Sequence, residues 1–272
     1  MDALFAQSAL AIASSEVCYA SLMDDSVLRD ELPSMNDILA SLLDKDESRP
    51  REEPQIAANI GAQLQHMALT SLPLSVKRRY RDIIGKLRPN RICEVGAGIG
   101  HLSAWLFDLW QQDNWHPEKY QMVDGGSKFG IILTRLVQRF EAGEWADVRA
   151  DQFEQLVAET LAQLAASQTH GPDVLATELH LAAPFDCIIV DVGWEGQASA
   201  IESALQVLST GGMLLTLEPI LPTGEIEEGD TKTERRVAEF QKWIDLIKEL
   251  SQVHHLALQP LYGGAILALI KR

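Results

Sequence analysis

From Arg91 to the end of the chain, short apolar runs alternate with longer stretches of helical periodicity. The apolar runs are RICEVGA, KYQMVDGG, ADVRAD, FDCIIVDVG, GGMLLTLEP, HHLALQPL and AILALIKR. This alternation predicts βαβ units and a parallel sheet that helices cover on both faces. Only Tyr262-Gly263-Gly264 separates the last two runs, and a turn that short can only return antiparallel. We therefore predict an α/β fold with a doubly wound, seven-stranded sheet that is mostly parallel and has an antiparallel last strand.

The first ninety residues have a different pattern, in which apolar residues recur at three- and four-residue intervals. Four helices are predicted there: DSVLRDEL, SMNDILASLLDK, EPQIAANIGAQLQHMALTSL and PLSVKRRYRDIIGKL. Ser34 is the expected N-cap of the second helix. The charged, proline-bounded stretch 44–54 is expected to be a linker or a flexible loop. This organisation predicts an N-terminal helical segment, residues 1–53, and a main domain, residues 54–272.

Charge and composition exclude several classes of function. The chain has 39 acidic residues against 23 lysines and arginines, so its formal net charge is −16, which argues against duplex DNA binding. No apolar run reaches the roughly 18 residues of a membrane helix, and the N-terminus lacks the basic region of a signal peptide. Cys18, Cys93 and Cys187 form neither a disulfide framework nor a zinc motif. We predict a cytoplasmic protein with no membrane partner.

The stretch RICEVGAGIGHLSAWL, residues 91–106, places three glycines between the first predicted strand and a helix. Glycine permits a positive φ and lets a ligand approach the backbone closely. The following helix presents free N–H groups and the positive end of its dipole. In a doubly wound sheet this is where a nucleotide-like ligand binds. The spacing is E-x-G-x-G-x-G, not the G-x-G-x-x-G that wraps a pyrophosphate.

Acidic residues around this loop narrow the choice of ligand. Asp124 ends the second predicted strand, where its carboxylate can accept hydrogen bonds from both hydroxyls of a ribose. Asp151 ends the third strand, within reach of an adenine amino group. Glu94, just before the glycines, suits a cationic ligand tail, which a dinucleotide lacks. The predicted cofactor is therefore S-adenosylmethionine.

The motifs taken in order resemble the class I S-adenosylmethionine-dependent methyltransferases over residues 54–272. Within that superfamily the chain is most similar to the O-methyltransferases of the catechol and caffeoyl-CoA type. The motifs that carry this resemblance are EPQIAANIGAQL, RPNRICEVGAGIGHLSAWL, PFDCIIVDVGWEG, LSTGGMLLTLEPILPTG, DTKTERRVAEFQKWI and LALQPLYGGAILALIKR. The resemblance implies a Rossmann-like fold and methyl transfer to a small-molecule acceptor.

The resemblance also implies roles for individual residues. The methionine and ribose side of the cofactor would be lined by Glu94, Gly96, Ala97, Gly98 and Gly100. Asp124 would hold the ribose, and Gly125 would shape the turn beside it. Asp151 and Gln152 would flank the adenine. Asp191, at the end of the fourth strand, would face the sulfonium and the substrate.

The chain departs from the metal-dependent members of this family. Those members hold a divalent cation with the aspartate at position 191 and an Asp-Asn pair that ends the next strand. Here the pair reads Leu217-Glu218, and the family's catalytic lysine after the aspartate is also missing. We therefore expect no metal site. Asp191 and Glu218 are the candidate catalytic carboxylates, since burial would raise their pKa values and let them accept a proton.

For several other residues, the sequence permits both a structural and a functional role. Trp194 either packs in the core or flanks the acceptor mouth, and His101 either caps a helix or edges the pocket. The basic stretch KRRYR, residues 77–81, favours a solvated helix face over a phosphate-binding site. His254 and His255 are expected to point to opposite faces of a strand, so they cannot hold one metal together.

Three functions are left open by the sequence. The first is a small-molecule O-methyltransferase without the usual metal. The second is a methyltransferase that acts on a macromolecule, either a protein carboxylate or RNA. The third is a binding module that keeps the fold without turnover. Residues 1–53 would act as a lid over the cofactor mouth or as the contact of a homodimer, because their apolar stripes must be buried somewhere.

Overall fold

The structure is a computed structural model that describes residues 34–170, 179–220, 230–262 and 264–272. Its helices within these ranges are α1 (Met35–Leu43), α2 (Gln55–His66), α3 (Leu74–Leu87), α4 (His101–Asp113), α5 (Ser127–Arg139), α6 (Phe153–His170), α7 (Gln197–Val207) and α8 (Thr231–Val253). Its strands within the same ranges are β1 (Arg91–Val95), β2 (Lys119–Val123), β3 (Ala146–Arg149), β4 (Phe185–Val190), β5 (Leu208–Leu217), β6 (His255–Leu261) and β7 (Gly264–Ile270).

These strands form one sheet in the order β3-β2-β1-β4-β5-β7-β6. The pairs from β3 to β5 are parallel, and β7 is antiparallel to both β5 and β6. The predicted Rossmann-like sheet and its antiparallel last strand are thus confirmed. The strand order reverses between β1 and β4, and the crevice at this switch point is where doubly wound sheets bind ligands.

Both faces of the sheet are covered, which explains the continuous apolar runs at 187–190 in β4 and 213–215 in β5. On one face, Ile92, Met122 and Leu215 pack in a cluster with α1 to α5. On the other face, Ile188 and Leu214 pack with α6, α7 and α8. Successive residues of a strand point to opposite faces, so the central strands β1, β4 and β5 supply apolar side chains to both clusters.

Helix α1 begins as the sequence predicted. The Ser34 hydroxyl accepts a hydrogen bond from the Asp37 amide, and the Asp37 carboxylate accepts one from the Ser34 amide, which completes a capping box. Leu39 and Leu43 are fully buried in the cluster that contains α3, and α1 packs against α3 and β6. The described part of the N-terminal segment is therefore continuous with the core of the main domain. The predicted helix DSVLRDEL lies outside the described residues.

The stretch 44–54 has no helix or strand, as expected for a loop, but its side chains anchor it to the domain. The Arg49 guanidinium donates to both carboxylate oxygens of Asp113, at 2.9 and 2.8 Å. Arg81 donates to the carbonyl of Pro50 at 2.7 Å. These contacts join the loop to the middle of α3 and to the end of α4, so the loop is held against the domain.

Helix α2 is shorter than the sequence predicted, because it ends at His66. Ala68 has a φ of +53°, and the Leu69 amide donates to the carbonyl of Leu64 at 3.0 Å. A left-handed residue followed by such a bond is a common helix stop, and Pro73 then caps the next helix. The predicted continuation to residue 72 is therefore wrong. Among the described helices none is both long and apolar enough to cross a membrane.

Candidate functional site

The glycine loop lies at the switch point, between the end of β1 and the start of α4. Gly96 and Gly100 have φ values of +84° and +85°, which favour glycine. A side chain at Gly96 would also clash with the backbone carbonyl of Asp191 on the neighbouring strand end, and one at Gly100 would meet Leu136. Gly98 differs, because no atom lies within 4 Å of the position that its Cβ would take. The loop is thus closely packed at its ends and open to the cavity at its centre.

Asp124, at the end of β2, holds this loop in place. One carboxylate oxygen accepts a hydrogen bond from the Gly98 amide at 3.0 Å, and the other accepts one from the Gly126 amide at 2.8 Å. Each oxygen keeps lone pairs for a further donor. The carboxylate can therefore accept hydrogen bonds from a pair of neighbouring hydroxyls while it fixes the glycine loop.

Two adjoining cavities open at the carboxyl ends of β1, β2 and β4. The outer cavity has a volume of about 320 Å³, within the usual range for ligand pockets. Its polar lining includes Asp124, Asp151 and Gln152, and the side chain of Gln152 packs over Gly125. The structure thus brings together the residues that the sequence assigned to ribose and adenine.

The inner cavity has a volume of about 60 Å³ and shares Gly96 and Asp191 with the outer one. It is lined by Glu94, Ala97 and Gly98 from the predicted cofactor set, and also by Ser71 and His101. Gly100 has no place in the lining of either cavity; it caps α4 in the left-handed conformation.

Glu94 is the most deeply buried acid of the site, with 1% of its surface exposed. Its carboxylate accepts hydrogen bonds from the Ser103 hydroxyl at 2.9 Å and from the Tyr120 hydroxyl. Burial raises the pKa of Glu94 to about 7, and the charges of Asp191 and Asp124 add to that rise while the two hydrogen bonds oppose it. The deep end of the cavity therefore holds an acid that a cationic ligand would ionise.

Asp191 follows β4 and faces both cavities. Its amide donates to the Val95 carbonyl at 2.8 Å, which fixes the strand end beside the glycine loop. Burial raises the pKa of Asp191 to about 7, and the positive charge of Lys77 lowers it in part. Such a carboxyl changes its protonation near neutral pH, as a group that accepts a proton must.

Glu218, the second candidate catalytic residue, is not brought to this cavity. It is half-buried after the end of β5, and its amide donates to the Ala265 carbonyl at 2.8 Å. It lines neither of the two cavities. Trp194 is also half-buried, and the Arg236 guanidinium lies 5.9 Å from the centre of its ring, so it is not a core residue. Of the two candidate catalytic carboxylates, only Asp191 lines the cavity.

The sequence reading of KRRYR as a solvated helix face is wrong. Lys77, Tyr80 and Arg81 are buried, because α3 is covered by α1, by α4 and by the loop before α2. Lys77 points toward the wall of the inner cavity, where its ammonium donates to the Ser71 hydroxyl and the Leu72 carbonyl. Arg81 is paired with Asp82, the next residue of the same helix, and with the Pro50 carbonyl, so the acid that follows the basic stretch is the signal that was missed.

Within the described parts of the chain, no group of three or more His, Cys, Asp or Glu side chains is arranged to hold a metal. His254 ends α8 and accepts from the Arg272 amide, whereas the His255 ring contacts the Arg272 guanidinium. His255 lies in β6 and His254 caps the preceding helix, so the prediction that both lie on one strand is wrong.

No protein-family model and no curated protein matches this chain. Solved structures do match it. The O-methyltransferase TomG from Streptomyces achromogenes, involved in tomaymycin synthesis and crystallised with S-adenosylmethionine, is 15% identical, with a TM-score of 0.59 and coverage of 92% of this chain and 100% of that one.

Two further structures match over most of their length. The O-methyltransferase from Bacillus cereus, solved in complex with S-adenosylhomocysteine, is 16% identical, with a TM-score of 0.56 and coverage of 81% of this chain and 92% of that one. The S-adenosylhomocysteine-bound methyltransferase PaMTH1 from Podospora anserina is 13% identical, with a TM-score of 0.57 and coverage of 93% and 99%. The chain therefore has the fold of these methyltransferases.

Proposed function

We propose that the chain is an S-adenosylmethionine-dependent methyltransferase that methylates an oxygen of a small hydroxylated molecule without a divalent metal. The observation that carries this proposal is the Asp124 carboxylate, which ties the glycine loop to the end of β2 and still has lone pairs facing the outer cavity. The fold of methyltransferases that were crystallised with S-adenosylmethionine or S-adenosylhomocysteine supports it.

The residues present fit the proposed cofactor. The open side of Gly98 leaves room for a ligand against the backbone. Asp124, Asp151 and Gln152 would hold the nucleoside end, and Glu94 and Asp191 would face the cationic end. When bound, S-adenosylmethionine would supply a methyl group that its sulfonium charge has already activated. The protein then needs to orient the acceptor and exclude water, which accounts for much of the rate of such transfers.

Asp191 is the residue proposed to take the proton that the acceptor hydroxyl releases. It lines the cavity, and its pKa of about 7 lets it bind and release a proton near neutral pH. Glu218 stays a weaker candidate, since it would have to turn toward the cavity. No metal is needed to neutralise the acceptor oxygen if a carboxylate accepts its proton in the same step.

The experiment that tests this function has two parts. Calorimetry should first detect binding of S-adenosylmethionine to the purified protein. A panel of hydroxylated aromatic compounds should then yield a methylated product, and EDTA should leave the rate unchanged. Complete loss of activity with EDTA that magnesium restores would contradict the metal-free proposal. Binding without turnover on the panel would instead favour the two alternatives, a macromolecular acceptor or a binding module.

A further inference from the structure

The inner face of α3 carries a buried cation whose role the proposed reaction leaves open. Lys77 has only 2% of its surface exposed. Burying an ammonium is costly unless it is fully hydrogen-bonded. Its Nζ lies 2.8 Å from the Leu72 carbonyl, 3.1 Å from the Ser71 Oγ and 3.1 Å from the His101 Nδ1. The Ser71 Oγ itself lies 2.8 Å from Nδ1, so the ring nitrogen accepts from a hydroxyl and an ammonium that also contact each other.

These contacts define the protonation of His101. An ammonium can only donate, so Nδ1 of His101 must be the acceptor and the ring proton must sit on Nε2. Nε2 in turn lies 2.8 Å from the Oε1 of Glu53, which also accepts from the Trp105 indole at 3.3 Å. Burial and the charge of Lys77 lower the pKa of His101, which keeps the ring neutral. The chain of contacts therefore runs from Glu53 through His101 to Lys77.

The relay formed by Glu53, His101 and Lys77 borders the inner cavity through His101. Ser71 and Leu72 line the same cavity, as do Glu94 and Asp191. Ser71 and Leu72 belong to the connection between α2 and α3, in which Met67 and Leu69 are exposed to solvent. The two hydrogen bonds from Lys77 fasten this otherwise exposed connection to the body of the domain.

We propose that Lys77 is a positioning residue for the cofactor, which acts by holding Ser71 and the neutral ring of His101 against the inner cavity, with Glu53 as the terminal acceptor. This inference rests on the proposed function, because it assigns the inner cavity to that cofactor. It also makes the loop before α2 part of the site, since Glu53 sets the orientation of His101.

Variants of His101 separate its two ring nitrogens. His101→Asn keeps a polar atom near the position of Nδ1 and so preserves an acceptor for Lys77, whereas His101→Gln reaches Glu53 and loses that acceptor. We expect His101→Gln and Lys77→Met to weaken S-adenosylmethionine binding by about ten-fold or more, as for a lost charged hydrogen bond. His101→Asn should stay within about three-fold of the unaltered protein.

Lys86→Met is the matched control. Lys86 lies on the same helix, and its ammonium donates to the carbonyls of Ser41 and Asp44, away from both cavities. Its loss removes the same charge and the same side chain, and calorimetry should find the affinity within about two-fold of the unaltered value. Equal affinity in Lys77→Met and Lys86→Met would overturn the proposal, as would equal weakening by His101→Asn and His101→Gln.

A second measurement does not depend on the cofactor. Nitrogen NMR of the ligand-free protein should find His101 neutral with its proton on Nε2. In Lys77→Met the titration midpoint of His101 should move to higher pH, because Glu53 remains and the cation is gone, and in Lys86→Met it should not move. If the unaltered protein fails to bind the cofactor, the proposed function fails; if the His101 titration is the same in both lysine variants, the relay itself fails.

Discussion

The outer and inner cavities, here called the outer and inner ends of the site, both contain acidic side chains, but the surroundings of those side chains differ. At the outer end Asp151 and Gln152 are exposed, and Asp124 is held by backbone amides. At the inner end Glu94 is fully buried and Asp191 is largely shielded, so burial raises both of their pKa values to about 7. The outer end is therefore expected to recognise shape and hydroxyl groups, and the inner end to respond to charge and to pH.

A substitution of Gly96, which lines both cavities, should have the largest effect on stability and on cofactor binding. Gly96→Ala adds a side chain at a positive φ and against the Asp191 carbonyl, so we expect a loss of about 2–4 kcal/mol of stability together with loss of cofactor binding. Urea unfolding measures the first effect and calorimetry the second. Gly98→Ala, with open space at its Cβ, should cost about 1 kcal/mol of stability. Equal stability losses in the two variants would contradict the described packing.

At the outer end, the affinity for the cofactor should depend mainly on Asp124. Asp124→Ala removes the acceptor of two backbone hydrogen bonds and of the proposed ribose contacts, and should weaken S-adenosylmethionine binding by about 2–4 kcal/mol. Asp151→Ala, at an exposed position, should weaken cofactor binding by about 1 kcal/mol or less. Unchanged affinity in a folded Asp124→Ala protein, measured by calorimetry, would remove the assignment of this strand end to the ribose.

The inner end should make binding depend on pH. Glu94 and Asp191 are mostly neutral below their pKa of about 7 and negative above it. The affinity for S-adenosylmethionine should therefore rise several-fold between about pH 6 and about pH 8, and that for S-adenosylhomocysteine, which lacks the sulfonium charge, should rise less. In Asp191→Asn, the two ligands should differ less in how their affinities depend on pH. Parallel pH profiles for the two ligands would argue that the sulfonium lies elsewhere.

A rise in pH should strengthen cofactor binding through Glu94 and Asp191, but through the same two acids it should lower the folding stability of the ligand-free protein. Their folded pKa values lie above the ordinary values of 4.5 and 3.8. Their contribution to stability is full below those ordinary values and is lost as the pH rises through about 7. Unfolding in urea at several pH values should thus find part of the stability lost between about pH 4 and about pH 7, and less of it in Asp191→Asn.

The smallest effect on cofactor affinity is expected from removing residues 1–33. Leu39 and Leu43 would remain buried against α3 and β6, so the shortened chain should fold and bind S-adenosylmethionine as before. If the removed segment is the proposed lid or dimer contact, turnover of the acceptor should fall. An unchanged rate in the shortened protein would exclude a role for residues 1–33 in catalysis, and gel filtration would report any change of oligomeric state.

Much of this fold was predictable, because its signals are local. The alternation of apolar runs and helices predicts the parallel sheet, and the short stretch 262–264 predicts the antiparallel hairpin, in which Leu261 pairs with Gly264. Glu94, Gly96, Asp124 and Asp191 lie at or next to the ends of predicted strands. Because the ends of parallel strands meet at one edge of the sheet, their closeness in the fold was predictable. The end of α2 was missed, since its apolar periodicity continues past His66 while the backbone turns at Ala68.

The amino-acid sequence is enough to predict the sheet, the order of its elements and the acids and glycines around the cavity. These depend on periodicity and on strand ends, which are properties of neighbouring residues. The burial of Lys77 and the contacts of Lys77 and Glu53 with His101 are visible only in the folded chain, because these three groups come from a helix, a loop and a helix start far apart in the sequence. Whether a charge is solvated or paired depends on what covers it, and helix periodicity carries no information about that cover.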